Sequence, residues 1–507
     1  MYMFARIDKW LNQITMYRLV IYYIFGLWVA GVAVSFFGVL PYSPLAIIIS
    51  GAVLFIVSYL VNTVFALVFD APSNVESVYA TVFFLAVIFP PAQSLSAIPF
   101  LVWVAIWAMA SKYIFALHKK HLFNPAAFAV AIVALTLHKS ANWWVSSVYL
   151  LPVVVVGGLL LVRKIRRFDL VLSFFAVATV SVLVNGMVNG VDPITMVQKV
   201  IMYSPILFFG FAMLTEPATT PPTRPLRIIY GACVGFLFNP SFHIGSFYFT
   251  PELALLTGNI ISYVISPKLK LVLRLKEKVL SANSVYDFWF ESDKKLSFKP
   301  GQYLEWTLGH ESQDARGIRR YITIASSPTE PGVMAGVKFY PNPSTFKQSM
   351  LFLEPGDTIV ASQLAGDFVM PKNKNEKLAF IAGGIGVTPF RSMIKYLIDK
   401  KEKRDIVVLY CNRTVEDMAY KEIFDQAAKE LGIKVVYTIT DCPYPESWKG
   451  KCGFIDEAMI RAEVPDFKDR TFYLSGTHGM VVSFSDVLAK MGLKNRQIKK
   501  DFFPGFV

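Results

Sequence analysis

Residues 19 to 69, 77 to 111 and 170 to 191 run without one charged side chain. An apolar helix needs about 20 residues to cross the hydrocarbon of a bilayer, so these runs predict membrane spans. Broken at polar, Pro and Gly positions, the first half divides into about ten: near 19–38, 44–68, 77–90, 97–111, 122–137, 148–162, 170–187, 197–213, 228–239 and 250–266. Several are short for a full crossing. From about residue 270 the pattern changes to short β-rich runs with turns, such as LKLVLRLKEKVL and YDFWFES. After Lys377 strands and helices alternate, which predicts a parallel sheet. The expected fold is a polytopic α-helical membrane domain (1–268), an antiparallel β-barrel domain (269–375) and an α/β parallel-sheet nucleotide-binding domain (376–507), with MPKNKNEK (Met370 to Lys377) as linker.

Charge sharpens the division. Residues 1–268 hold 15 Lys/Arg and 7 Asp/Glu, against 35 and 29 in the remainder. Cytoplasmic loops are enriched in Lys and Arg. The basic residues of the first half cluster at Arg6, Lys9 and Arg18, at Lys112, Lys119 and Lys120, at Arg163, Lys164, Arg166 and Arg167, and at Arg224 and Arg227. Ten spans and a cytoplasmic amino terminus put all four clusters on one side. Opposite loops such as PYSP, PPAQSLS and NGMVNGVDP carry none. The expectation is a multi-pass protein of the cytoplasmic membrane with both termini and the soluble half cytoplasmic. The first apolar run lacks a small-residue cleavage site and reads as a retained helix. The net charge of +14 fits this bias plus a basic surface facing anionic lipid better than nucleic-acid binding. Cys233, Cys411, Cys442 and Cys452 form no CxxC pair or ferredoxin-like spacing, so no metal or iron–sulfur site is expected.

The stretch AFIAGGIGVTPFRSM (Ala379 to Met393) reads as a buried strand, a glycine turn and a helix. Gly383, Gly384 and Gly386 would let the backbone approach a pyrophosphate, and Thr388 with Pro389 would start a helix whose amino terminus faces the anion. It is neither GxGxxG nor a Walker A loop. Arg413, after the strand IVVLYC, would face an adenosine ribose or a 2′-phosphate, leaving NADH and NADPH both open.

RRYITIASSPTE (Arg319 to Glu330), GVKFYPNPSTFKQSML (Gly336 to Leu351), EPGDTIVASQLAGDF (Glu354 to Phe368), FYLSGTHGM (Phe472 to Met480) and DFFPGF (Asp501 to Phe506) surround that stretch in order. Together they resemble the ferredoxin–NADP reductase-like flavoproteins across nearly all of 270–507. The resemblance implies FAD on the barrel and NADH or NADPH on the α/β domain. Arg320 would pair with the FAD pyrophosphate, and Thr323 would hydrogen-bond near the flavin ring, beside Tyr321 and Ile322. Lys338 belongs to the same cofactor-binding set. Ser344 and Thr345 would cap a helix presenting free N–H groups to the phosphates. Gly383 to Pro389, with Gly476 and Met480, would hold the pyridine nucleotide. Ser475 would lie near the nicotinamide, Ser475 and Thr323 being the catalytic candidates, and Phe506 would cover the isoalloxazine. Two departures stand out: Ile322 replaces the usual aromatic residue, and Ser475 a more usual cysteine.

In the first half ESVYATVFFLAVIFPPAQ (Glu76 to Gln93), SKYIFALHKKHLFNPAAFAV (Ser111 to Val130) and FFGFAMLTEPATTPPTRPLRIIYGACVGFLF (Phe208 to Phe238) place Pro and small residues within or beside apolar spans. Broken backbone at membrane depth is tolerated where it is covered or lines a site. Asn124, Thr215 and Lys112 supply an amide, a hydroxyl and a charge there. These segments resemble the D subunit of Rnf-type complexes and the B subunit of sodium-translocating NADH:quinone reductases. Those subunits carry a covalent flavin at an SGAT-like sequence; here the region reads HKSANWWVSSVYL and no SGAT occurs. A second flavin, FMN or riboflavin, would therefore be non-covalent.

The expected function is a membrane-bound oxidoreductase moving electrons from cytoplasmic NAD(P)H through FAD into the membrane domain, to a quinone or an acceptor on the far side, alone or with further subunits. About 30 Å of hydrocarbon is too far for one efficient electron step, which calls for an intermediate carrier. Alternatives are a redox-coupled sodium transporter component and a haem-type transmembrane reductase. The haem reading needs paired axial histidines, and this half offers His118, His121, His138 and His243. Transport usually leaves ionisable residues inside spans, yet Asp70, Glu76, Asp192, Glu216 and Glu252 fall near span ends.

Overall fold

The computed structural model describes residues 7, 10–11, 14–69, 75–117, 120–239, 241–245, 247–266, 270–310, 314, 317–441 and 448–501. The chain divides into two compact units, with the boundary between Ser266 and Pro267. The second unit holds both sheets, so the two soluble domains expected from sequence pack as one body.

Among the described residues the first unit is helical, with two short hairpins: α1 (Met16–Phe36), α2 (Pro44–Val68), α3 (Val75–Ile88), α4 (Ile98–Ile114), α5 (Pro125–Leu137), α6 (Leu151–Ile165), α7 (Phe168–Val188), α8 (Pro193–Tyr203), a short segment running from Ile206 into a π-helical turn at Phe209–Met213, α9 (Arg224–Leu237) and α10 (Pro251–Ile265). Each expected span falls on a helix, but length separates them. Among the described residues four are long and apolar enough to cross a membrane: α1, α2, α4 counted from Leu95, and α7. The pair Pro193–Tyr203 and Ile206–Met213, bent by 64°, makes a fifth if taken as one span. The bend falls at Pro205, which cannot donate to the preceding turn. Polar caps set several starts: Ser43 accepts from Ala46 N at 3.1 Å and Asn124 from Ala127 N at 3.0 Å, each followed by Pro at the first helical position.

Small residues let helices approach. A Cβ on Gly231 would meet the Leu170 carbonyl at 2.5 Å, and one on Gly235 the Phe174 carbonyl at 2.6 Å, so α9 lies against the α7 backbone. An aromatic cluster of Phe174, Phe209 and Phe238 fills the space beside that seam.

The second unit begins with β1 (Lys270–Ala282), β2 (Val285–Ser292), β3 (Tyr303–Thr307), β4 (Arg319–Thr323), β5 (Val333–Lys338), α11 (Thr345–Leu351) and β6 (Thr358–Ala365). The strands form one antiparallel sheet in the order β4–β3–β6–β1–β2–β5. Leu271, Leu273 and Leu275 of β1 turn inward at period two, onto Phe288, Phe290, Trp306 and Phe346. The expected barrel is only half closed: β4 and β5 are edge strands not paired to each other, bridged just past β4 by Ala325 N donating to the Met334 carbonyl at 2.8 Å.

Then come β7 (Leu378–Gly383), α12 (Thr388–Lys400), β8 (Ile406–Asn412), α13 (Lys421–Leu431), β9 (Lys434–Ile439), β10 (Lys451–Cys452), α14 (Glu457–Glu463), β11 (Thr471–Ser475), α15 (His478–Lys490) and β12 (Ile498–Lys500). These strands are parallel in the order β10–β9–β8–β7–β11–β12. Both faces of β7 are covered and all six of its residues are buried, as a central parallel strand requires. A polar seam ties the sheets together. Arg391 of α12 donates to the Ala325 carbonyl at 3.1 Å and pairs with Glu330, Ser392 Oγ donates to the Ser326 carbonyl at 2.6 Å, and Tyr420 donates to Asp287.

Candidate functional site

The parallel sheet reverses its strand order at β7, whose neighbours are β8 on one side and β11 on the other. Open α/β sheets bind ligands outside the carboxyl ends of the strands at such a switch. The sequence places its glycines there. A Cβ on Gly386 would lie 2.4 Å from the Cα and N of Gly476, and one on Gly383 would lie 2.4 Å from Cε of Met480. Gly384 sits at φ +53°, in the left-handed region that glycine adopts without strain. The turns after β7 and β11 thus touch backbone to backbone, and only glycine leaves that room. A tight helical turn, Gly384–Val387, leads into α12, with Thr388 at its start and Pro389 following. Gly383, Gly384, Gly386, Thr388, Pro389, Ser475, Gly476 and Met480 therefore converge on one crevice. Side chains at Gly383 and Gly386 would push these two turns apart.

Ser475 is buried and its hydroxyl donates to Oδ2 of Asp501 at 3.1 Å. Asp501 is held there by its own N–H on the Leu474 carbonyl at 2.8 Å. Burial pushes its carboxyl up to about 7, offset in part by the Ser475 hydrogen bond. The sequence shows Asp501 at the start of a motif and assigns it no role. Arg413 stands on the rim, exposed, with Nη2 3.1 Å from Asp441 Oδ2. Phe506 lies outside the described residues.

On the antiparallel sheet, β4 pairs with β3 so that Arg320 faces Trp306 and Thr323 faces Tyr303. Arg320 is buried, lies over the Phe346 ring of α11 and reaches Asp314 at 3.1 Å. Ser344 caps α11, accepting from Lys347 N at 3.3 Å, and Thr345 Oγ1 accepts from Asp314 N at 3.0 Å. Arg320 and Thr345 are thus linked through Asp314, a partner that sequence reading did not name, with Ser344 preceding Thr345 at the start of α11. Tyr321 donates to Glu305 Oε2 at 2.8 Å, Ile322 is half-buried beside the core, and Thr323 is buried. Lys338 lies 2.7 Å from Asp417 of the α/β part, an ion pair that joins the two sheets.

In the helical unit the segments singled out by sequence meet around a small cavity, partly open to the outside. Its lining includes Tyr17, Ser77, Thr81, Asn124, Thr215 and Glu216. Asn124 donates to Glu216 Oε2 at 2.9 Å, and Oε1 of the same carboxylate is 2.9 Å from His121 Nε2. Lys112 lies behind the wall, donating to the Ser77 carbonyl at 2.9 Å and its hydroxyl at 3.1 Å. Asn124 and Thr215 line the cavity, and Lys112 braces it. The lining comes from the starts of α1, α3 and α5 and the ends of α6 and the π turn, the ends that carry Arg18, Arg163 to Arg167 and Arg224. Sequence reading placed a carrier within the spans; this cavity lies at the basic end of the helices.

The model of the oxidoreductase NAD-binding domain matches residues 380–486, the glycine turn, α12 and β11 included. The C-terminal unit thus contains a stretch similar to an oxidoreductase NAD-binding domain. The chain is 24% identical over 234 residues to a flavohemoprotein of Oceanobacillus iheyensis, covering 45% of this chain and 57% of that one. It is 28% identical over 231 residues to NADH-cytochrome b5 reductase 1 of Ajellomyces capsulatus, covering 43% and 74%. It is 29% identical over 198 residues to the F subunit of a sodium-translocating NADH-quinone reductase from Psychrobacter cryohalolentis, covering 38% and 46%. The matches thus span about half the length of two of these relatives. Over this stretch the second unit is similar to NAD(P)H-dependent oxidoreductases, and the glycine turns after β7 and β11 lie within the matched region.

Proposed function

We propose that the chain is a membrane-bound flavoprotein that takes electrons from cytoplasmic NAD(P)H and delivers them through the helical unit to a quinone or a far-side acceptor. The observation that carries this reading is the polar cavity at the basic end of the helices, in a chain whose other unit is a reductase module. FAD held on the antiparallel sheet would supply hydride-accepting and one-electron chemistry. The chain's own residues bind and orient. The Gly383, Gly386 and Gly476 backbone admits the pyridine nucleotide, and Ser475 with Asp501 holds a proton at the nicotinamide end. Arg320, Ser344 and Thr345 hold the FAD phosphates, while Tyr321 and Thr323 border the flavin ring. Arg413 would meet the adenosine ribose.

A second, non-covalent flavin, FMN or riboflavin, occupies the cavity against Asn124, Ser77 and Thr215, with Lys112 bracing the wall. Both termini and the reductase unit are cytoplasmic. The test compares two acceptors in inverted membrane vesicles. Asn124→Leu should keep NAD(P)H:ferricyanide reduction, which draws on the reductase unit alone, and lose quinone reduction by about tenfold or more. Unchanged quinone reduction in that variant would defeat the proposed route.

A further inference from the structure

Glu216 is the one carboxylate in the lining of the helical cavity, and among the described residues that lining holds no Lys, Arg or His. The rest of the wall is largely apolar, with Met16, Val20, Phe84, Leu161 and Ile165 in it. Such a wall suits a flat, uncharged ring. The carboxylate is held by neutral donors: Asn124 Nδ2 at 2.9 Å and Thr219 Oγ1 at 3.3 Å, both on Oε2. Asn124 is itself pinned, its N–H donating to Asn259 Oδ1 at 2.9 Å, while Asn259 Nδ2 donates to the Tyr230 hydroxyl at 3.2 Å.

The other oxygen, Oε1, is 2.9 Å from Nε2 of His121. His121 does not line the cavity; it ends the short strand Lys120–His121, in one of the basic clusters. The His121 and Glu216 side chains are 21% and 22% exposed, so the pair joins the outside of the helical unit to the cavity wall. Histidine gains and loses a proton near neutral pH, and a hydrogen bond of this length is short enough to pass one. The surrounding helices bring Tyr17 and Arg18 of α1, Glu76 of α3, Lys112 of α4, Lys164 of α6 and Tyr230 of α9. Arg18 pairs with Glu76, and Lys112 is bonded to Ser77. Of the basic side chains, His121 is the one in hydrogen-bond contact with the carboxylate among the described residues.

We propose that His121 and Glu216 are the proton inlet of this cavity, Glu216 handing protons to a redox ring that takes them up with its electrons. The inference rests on the reading that the cavity holds such a ring, the second flavin of the proposed route or a quinone bound in its place. NAD(P)H gives up two electrons and one proton at the reductase unit, and two electrons and two protons go onto the ring. Each proton leaves the Glu216 carboxyl for the ring, the carboxylate takes another from the His121 imidazolium, and the imidazole is reprotonated from water. The net draw is one proton from solution per NAD(P)H.

The test uses the full chain purified in detergent with a short-tailed ubiquinone analogue, as wild type, Glu216→Gln, Glu216→Asp, His121→Gln and Asn124→Leu. The reduced-minus-oxidised infrared difference spectrum should show a carboxylic C=O band that moves in heavy water and is missing in Glu216→Gln. Quinone reduction should fall about tenfold or more in Glu216→Gln and partly in Glu216→Asp. In His121→Gln it should fall more steeply than wild type as pH rises, with a larger solvent isotope effect, because proton delivery has become limiting. Flavins released and counted per chain tell a second flavin from a directly bound quinone. The same carboxyl band in Glu216→Gln, or losses uniform across pH with an unchanged isotope effect, would overturn the inference, while a loss in Asn124→Leu would leave the cavity route standing. FAD as sole flavin, with quinone reduction indifferent to Asn124→Leu, would overturn both. Should Glu216→Gln fail to fold, His121→Gln and the displaced band expected in Glu216→Asp decide.

Discussion

At the scale of single residues the most exposed claim concerns Asp501. Its carboxyl, ordinarily near 3.8, titrates at about 7 because burial disfavours the charge. Between those values the folded chain keeps a proton that the unfolded chain has released, so this residue's contribution to stability falls as pH rises from about 4 to about 7 and is level above. Asp501→Asn should flatten that slope, read as the thermal midpoint of the reductase unit across this range. An unchanged slope would place the titrating group elsewhere. Ser475 was legible in the sequence because it ends a β-rich run in a motif; Asp501's pairing with it was not, since it arises only when β11 and β12 lie side by side. Arg320's place on a strand was legible from the pattern, but its partner Asp314 comes from a loop whose path no periodicity sets.

At the scale of elements the strand, turn and helix of Leu378 to Lys400 carry the account. Gly386→Ala would force a Cβ to within 2.4 Å of the Gly476 backbone, and neither chain can yield without moving a central strand. The expected outcome is a KM for NAD(P)H raised by about tenfold or more, with FAD content kept. Loss of FAD with unchanged KM would contradict it. The seam between the sheets is a separate test. Arg391 and Glu330 are both largely buried, so Arg391→Met should destabilise the reductase unit by about 3 kcal/mol in denaturant unfolding. Period-two leucines in β1 and the buried run of β7 were readable from pattern. The half-open sheet was not: whether β4 and β5 pair depends on the strand curl and on Ala325, not on which residues are apolar. In the helical unit the apolar runs located each helix, yet hydropathy alone did not foresee that Pro205 would break one of them.

At the scale of the molecule the question is which side faces which compartment. The basic clusters predict that the loop holding Ser94, which is exposed, lies outside, and that exposed Cys452 of the reductase unit lies in the cytoplasm. In intact cells a membrane-impermeant maleimide should label Ser94→Cys and spare Cys452 until the cells are opened. Labelling of Cys452 in intact cells would invert the topology. The joining of a charged, soluble half to an apolar helical half was legible from charge distribution alone, whereas the cavity at the basic end required the helices to be assembled. The central claim, that electrons pass from the reductase unit to a carrier in the helical unit, is tested most directly by counting flavins per purified chain. One FAD with one further non-covalent flavin, both reduced on adding NAD(P)H, is the result predicted. A chain holding FAD alone, or no flavin, would contradict it.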